Sequence, residues 1–151
     1  MVRRIKDTDI SGISVIKPTI SEDIITERLK RQENGEVEFL VLEESGNLVS
    51  FGLLKWRGKP SHPEYPDIED LYTLETERGK GYGSRLISEF ERLAKERGYK
   101  KIGLAVNPTL NPMAKKLYEN HGYHPDGKPA YIDGIYNGTE DWVIDMEKKL
   151  K

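Results

Sequence analysis

The run Arg78-Gly79-Lys80-Gly81-Tyr82-Gly83-Ser84 sets three alternate glycines among two cations, a combination suited to an anion. Glycine admits positive φ and lets backbone N–H groups come close to a ligand. The first turn of a helix adds donors with no internal partner, which an anion satisfies. Arg78 and Lys80 would add charge-assisted contacts to its oxygens. The spacing is neither Gly-x-x-x-x-Gly-Lys-Ser/Thr nor Gly-x-Gly-x-x-Gly, which excludes two familiar nucleotide loops. It fits a third phosphate-binding pattern, Gln/Arg-x-x-Gly-x-Gly/Ala, through Arg78, Gly81 and Gly83. Glycines between a strand and a helix also occur as plain tight turns, so the loop alone does not fix a function. Two carboxylates, Glu69 and Asp70, precede it, and a phenol, Tyr118, follows on a separate segment.

These groups need a scaffold, and the hydropathy pattern supplies one. Ahead of the loop the apolar residues alternate, and behind it they recur at i, i+4, i+7, so the loop joins a strand to a helix. Leu86, Ile87, Phe90, Leu93 and Ala94 share a helical face, Glu91 and Lys95 pair at i, i+4 on the other, and Gly98 stops the helix. Lys101 to Val106 reads as the next strand. Strand, helix and strand form a right-handed unit with parallel strands, whose carboxyl ends flank the loop. Open sheets bind ligands in that crevice. Asn111-Pro112 starts a further helix that puts Asn111, Ala114 and Tyr118 on one face and closes at Gly122.

The remaining elements frame this unit. Val2 to Ile5 reads as a strand, followed by two short helices, one capped by Asp7 or Thr8 and ended by Pro18, the other capped by Ser21 and ended by Asn34-Gly35. Glu38 to Glu43 and Leu48 to Trp56 make a hairpin across Glu44-Ser45-Gly46-Asn47. Arg57 to Asp67 holds three prolines, which forbid a regular ladder, and reads as a loop that could touch substrate. Turns at Asp126-Gly127 and Asn137-Gly138 precede the strand Trp142 to Met146, a closing antiparallel pair.

Composition bounds the function. At 151 residues the chain is expected to form one domain, 1–151, with its own core. There is no cysteine, which removes disulfides, thiolate zinc sites and a cysteine nucleophile. Three histidines, His62, His121 and His124, are too few and too scattered for a metal site. Charged residues make up 33% of the chain but nearly cancel, to a net charge of −2, so neither a nucleic-acid nor an anionic-membrane partner is expected. No apolar run approaches a membrane span or a signal peptide, and a cytoplasmic location is expected.

With both segments in view, the sequence resembles the GCN5-related N-acetyltransferase (GNAT) family. Arg78-x-x-Gly81-x-Gly83 is similar to its acetyl-coenzyme A pyrophosphate loop, and Leu71-Tyr72-Thr73 to its Leu-Tyr-Val strand. Asn111-x-x-Ala114-x-x-Leu117-Tyr118-x-x-x-Gly122-Tyr123 resembles its later motif, Asn-x-x-Ala-x-x-Leu-Tyr-x-x-x-Gly-Phe. The resemblance, in order and spacing from Ile68 to Tyr123, implies an α/β (α+β) fold. It would have a mixed, mostly antiparallel sheet, a parallel strand–helix–strand pair splayed at the cofactor, and helices on both faces. It implies acetyl-coenzyme A as co-substrate, its pantetheine arm along Tyr72, Thr73 and Leu74 and its pyrophosphate on the amides of Gly79, Lys80, Gly81, Tyr82, Gly83 and Ser84. Asn111 would touch the pantetheine and Tyr118 would stand near the thioester sulfur.

The implied reaction is direct transfer of acetyl to a primary amine of a small molecule, a peptide N-terminus or a lysine. Such an amine must first lose a proton, at about 4.6 kcal/mol at pH 7 for a pKa near 10.4. A carboxylate or a water chain ending in one would take it, for a gain of about 10²–10⁴-fold. Strand alternation puts Asp70 on the face of Tyr72, whereas Glu69 lies close to where the family often keeps its base, and a bulge would reverse the choice, so both stay open. The phenol of Tyr118 suits the departing thiolate. A non-catalytic acetyl-coenzyme A sensor or regulatory module is the alternative from another class, and a plain nucleotide-phosphate binder a third. Trp56, Tyr65, Tyr131 and Tyr136 lie in the segments expected to choose the acceptor, and an exposed sheet edge would suit a homodimer.

Overall fold

The computed structural model describes Met1–Lys151. Eight strands and four helices follow the order β1 (Val2–Arg4), α1 (Ile10–Ile16), α2 (Glu22–Glu33), β2 (Val37–Glu44), β3 (Asn47–Lys55), β4 (Asp67–Thr73), α3 (Tyr82–Glu96), β5 (Lys101–Val106), α4 (Pro112–Asn120), β6 (His124–Pro125), β7 (Tyr131–Tyr136) and β8 (Thr139–Lys149). The sheet runs β1-β2-β3-β4-β5-β8-β6, with β7 paired to β8. Every pairing is antiparallel except β4 with β5. The mixed sheet and its one parallel pair are those expected above.

Both faces of the sheet are covered, which explains the near-continuous apolar run of β2. Leu40 and Leu42 point into a core shared with Leu86, Ile87 and Phe90 of α3. Val37, Phe39 and Val41 point the other way, into a core with Ile13 and Ile16 of α1 and Ile25 of α2. Glu38 breaks the run and is buried, its carboxylate held by two hydrogen bonds from Arg4 at 2.8 Å each. Each large apolar side chain so buried contributes about 1.5–3 kcal/mol.

Local signals set the element ends. The Ser21 hydroxyl accepts from the Ile24 N–H at 3.2 Å, and Gly35 and Gly98 leave α2 and α3 with φ near +77° and +86°. The β2–β3 turn holds Ser45 and Gly46 at positive φ, a geometry whose twist suits a two-residue hairpin. The α1 start differs from expectation. A 3₁₀ turn over Asp7–Asp9 precedes it, and the Asp9 carboxylate binds Arg3 and the Lys6 N–H instead of capping α1. Glu91 also departs from the helix pairing, accepting from the Tyr123 hydroxyl at 2.8 Å and Lys148 at 2.9 Å.

The pairing that matters for function is short. β4 and β5 register only through Asp67 with Gly103 and Ile68 with Leu104, after which the strands diverge. β8 is long enough to serve three neighbours: Ile144 to Lys149 pair with β5, Met146 and Glu147 also with β6, and Thr139 to Val143 with β7. The β7–β8 hairpin therefore stands beside the gap. No helix is long and apolar enough to cross a membrane.

Candidate active site

A cleft of about 530 Å³ opens where β4 and β5 part. Its walls bring together Glu69, Asp70 and Tyr72 of β4, Asn111 and Tyr118 from the α4 segment, and Asp133, Tyr136 and Asp141 from the closing hairpin. Beyond Ile68, β4 keeps its hydrogen bonds to β3 while the edge toward β5 is free. Ser50 ties down the far side, donating to the Tyr72 carbonyl at 2.8 Å and lying 2.9 Å from the Thr73 hydroxyl.

The glycine loop lies at the carboxyl end of β4, as its sequence requires. Gly79 and Gly81 have φ of +82° and +85°, and a Cβ added to either would meet nothing within 4 Å. Conformation, not crowding, therefore demands glycine there. The amides from Gly79 to Ser84 make no backbone hydrogen bond, and the first bond of α3 runs from Arg85 N–H to Gly81 O at 3.1 Å. These unpartnered donors fit a pyrophosphate. Arg78 holds the loop by donating to the Thr73 carbonyl at 3.1 Å and stacking over Tyr72, while Lys80 pairs with Glu77.

Asn111 sits at the start of α4 but its side chain makes no capping bond. Asn107 orders that turn instead, accepting from the N–H groups of Thr109 and Leu110. The Asn111 amide is thus left for the cleft. Tyr118 is packed edge-on to Tyr123, and burial, with a lesser push from the Asp67 charge, raises its phenol to about 12.

The carboxylates are arranged by a bulge. Asp70 and Leu71 together oppose Gly52, and Asp70 has φ of +50°. Simple alternation, which would bring one of Glu69 and Asp70 inward, does not hold, and both line the cleft. Their environments differ. Asp70 is clamped by Lys17 and by Arg28 at 2.8 Å, and although burial opposes it these cations hold its carboxyl below the usual range. Glu69 has one looser partner, Lys55 at 3.4 Å, and burial followed by the Asp67 charge holds its carboxyl above the usual range.

Two residues of this region, Asp67 and Lys59, carry no role in the sequence reading, and His62 enters it only as one of three histidines set aside as metal ligands. Asp67 is fully buried at the edge of the cleft, on the Glu69 side of β4, and the only signal for it was the two-residue spacing from Glu69. Lys59 donates to the Tyr131 hydroxyl at 3.0 Å, and that hydroxyl donates to Asp145 at 2.6 Å. Of the aromatic residues expected near the acceptor, Tyr136 lines the cleft, Tyr131 belongs to this network and Tyr65 is buried beneath it. Trp56 is instead buried in the core, stacked on Tyr99 and Arg97.

The sequence matches the Acetyltransferase (GNAT) family over residues 9–123. The chain belongs to this family. It is 33% identical over 97 residues to an N-acetyltransferase of Bacillus subtilis (strain 168), YhfO, and the match spans 64% of that relative's length. The fold of this GNAT chain is shared by solved structures. An N-acetyltransferase from Staphylococcus aureus Mu50 superposes with a TM-score of 0.80 at 22% identity, over 100% of this chain and 98% of the other. A phosphinothricin acetyltransferase from Sinorhizobium meliloti, in complex with acetyl-coenzyme A, superposes with a TM-score of 0.78 at 18% identity, over 99% and 88%.

Proposed function

We propose that this protein transfers acetyl from acetyl-coenzyme A directly to a primary amine. The observation that carries the reading is the parting of β4 and β5 into a cleft lined by Glu69 and Tyr118, with unpartnered amides in the loop that follows β4. The free edge of β4 from Tyr72 to Leu74 suits the amides of a pantetheine arm, added like a strand. The amides of Gly79 to Ser84 suit the pyrophosphate, and Asn111 the pantetheine.

Glu69 is the better base of the two carboxylates. Deprotonating Asp70 further is not at issue, since two cations already hold it ionised, and those same cations weaken it as a proton acceptor. Glu69, held above the usual carboxylate range, accepts a proton more readily. Once the amine attacks, the bond from the acetyl carbon to sulfur breaks and negative charge develops on sulfur. Tyr118 meets it with a hydrogen bond from a phenol that burial keeps protonated. Complete transfer from a phenol near 12 to a thiolate near 8.5 is uphill by about 5 kcal/mol, so the tyrosine keeps its proton and donates a hydrogen bond, and the thiolate takes its proton from solvent. Much of the remaining rate would come from holding the two substrates together.

The balanced surface charge and lack of cysteine favour a cytoplasmic enzyme acting on a soluble amine, small or peptidic. The test is thermal denaturation with acetyl-coenzyme A and with ATP, followed by thiol release from acetyl-coenzyme A with a panel of diamines, amino acids and peptides. Stabilisation by acetyl-coenzyme A alone and amine-dependent thiol release are expected. Binding without release for any amine would favour the sensor, and preference for ATP would favour the nucleotide binder.

A further inference from the structure

Beneath Glu69 the proline-rich loop folds into a compact plug. Gly58 has φ of +67°, and a Cβ there would fall 2.2 Å from the Tyr65 carbonyl oxygen and 2.4 Å from that of His62. His62 and Tyr65 stack with ring centroids 4.3 Å apart and lie on Gly103 of β5, where a Cβ would approach the Tyr65 ring to 2.8 Å. Two glycines far apart in sequence thus hold one histidine in place. Its Nε2 lies 3.1 Å from Oδ1 of Asp67, with side-chain exposures of 3% and 0%.

The proton inventory of this pair is unusual. Nδ1 of His62 faces the Tyr65 carbonyl at 3.4 Å, and a carbonyl can only accept, so Nδ1 carries the hydrogen. In the neutral ring Nε2 then presents a lone pair to a carboxylate oxygen. Neither Nε2 nor either Asp67 oxygen has a hydrogen-bond partner. Buried polar atoms are rarely left so, and a proton on Nε2 would turn its contact with Oδ1 into an ion pair.

We propose that His62 and Asp67 form a proton-accepting pair that relieves Glu69 of the proton taken from the amine. The inference rests on the acetyl-transfer reading. Glu69 and Asp67 lie two residues apart on one strand face, about 7 Å along it, within the swing of the longer Glu69 side chain. In the step, the O–H bond of the protonated Glu69 breaks as one forms on Asp67 Oδ1, and that bond breaks in turn as an N–H bond forms at His62 Nε2, so Asp67 recovers its charge and pairs with the imidazolium. The proton leaves to solvent after the products do. Glu69 alone contacts the amine; Asp67 and His62 are positioning residues behind it.

The charges around the pair stabilise the imidazolium once it forms, so the ring accepts the proton only above the pH at which it titrates. Burial opposes the imidazolium, but the contact and charge of Asp67 outweigh it and Asp145 of β8 adds to them, so His62 titrates above its ordinary value. Lys59 from the same loop is the opposing cation and is occupied by Tyr131, Asp133 and Asp145. Tyr65 donates to Glu147 of β8, and Gly103 of β5 brings no charge. Tyr118 and Tyr123 face Asp67 as neutral phenols.

The test follows the ring itself and then turnover in the full-length protein. With ¹⁵N-labelled histidine, His62 is expected to titrate at Nε2 between the Nδ1–H tautomer and imidazolium, with Nδ1 protonated throughout. In His62→Gln, checked for folding by its melting curve, the amide can donate to Asp67 but cannot take up the proton. Its kcat is expected to fall about tenfold or more, and the acid limb of kcat/KM to fall with a slope of one where the wild type approaches two. Asp67→Asn, a change of the same size, should give the same slope. A His62 ring fixed as the Nε2–H tautomer, or an unchanged limb in both folded variants, would overturn the pair. A wild-type ring that titrates as expected in a protein releasing no thiol with any amine would count against acetyl transfer instead.

Discussion

The two halves of the cleft are built in opposite ways. The half proposed for the cofactor, from Tyr72 and the glycine loop that follows β4 to Asn111, presents mostly backbone: a free strand edge and the amides of Gly79 to Ser84. The half proposed for the acceptor presents side chains gathered from β4, the Arg57–Asp67 loop, Lys17 after α1, Arg28 of α2 and the closing hairpin. A backbone site constrains residue type locally, because only some residues adopt its φ values. A side-chain site is assembled by contacts distant in sequence and leaves little local trace.

That contrast yields tests of decreasing size. Glu69→Gln removes the carboxylate proposed as the base, and kcat/KM for the amine is expected to fall about 10²-fold or more with the Kd for acetyl-coenzyme A unchanged. An equal loss of coenzyme binding would erase the distinction between the halves. Tyr118→Phe should lower kcat about 10–100-fold, the span of one lost hydrogen bond to a charged atom, again with coenzyme affinity nearly intact. Steady-state kinetics with both substrates varied would separate these cases.

Gly81→Ala tests the other half. A Cβ at φ of +85° strains the backbone by about 1–2 kcal/mol, so acetyl-coenzyme A affinity should drop about tenfold while the acid limb of the amine profile stays in place. Calorimetric titration would show it. Asp70→Asn should act on stability before chemistry, because it leaves Lys17 and Arg28 without their shared partner. The Asp70 carboxyl is depressed in the folded protein, so its contribution is present above the unfolded carboxyl range near 3.9 and is lost as pH falls through the folded value. Melting temperatures of the wild type and variant should therefore differ at neutral pH and converge in acid.

The same contrast explains what could be read from the chain. The hairpin turns, the Ser21 cap, the α3 and α4 segments and the parallel β4–β5 pair follow from glycine, asparagine and apolar spacing. Each is a local rule, and each element lies within a few residues of its expected place. The bulge at Asp70 is legible only as an alternative, since it depends on Gly52 across the strand pair and on two cations, Lys17 just after α1 and Arg28 of α2. His62 was read as a stray histidine because its meaning rests on Gly58, Gly103 and Asp67, none adjacent to it. Asn111 was read as a cap, a role for its side chain that Asn107 takes, four residues earlier.

The most direct test of acetyl transfer is a single turnover with acetyl-coenzyme A labelled in the acetyl carbonyl, quenched at short times and resolved by mass spectrometry. Direct attack in a ternary complex predicts label on the amine as soon as thiol appears, with the protein mass unchanged at every time point. Label that reaches the protein before any amine is added, and then passes to the amine, would contradict it.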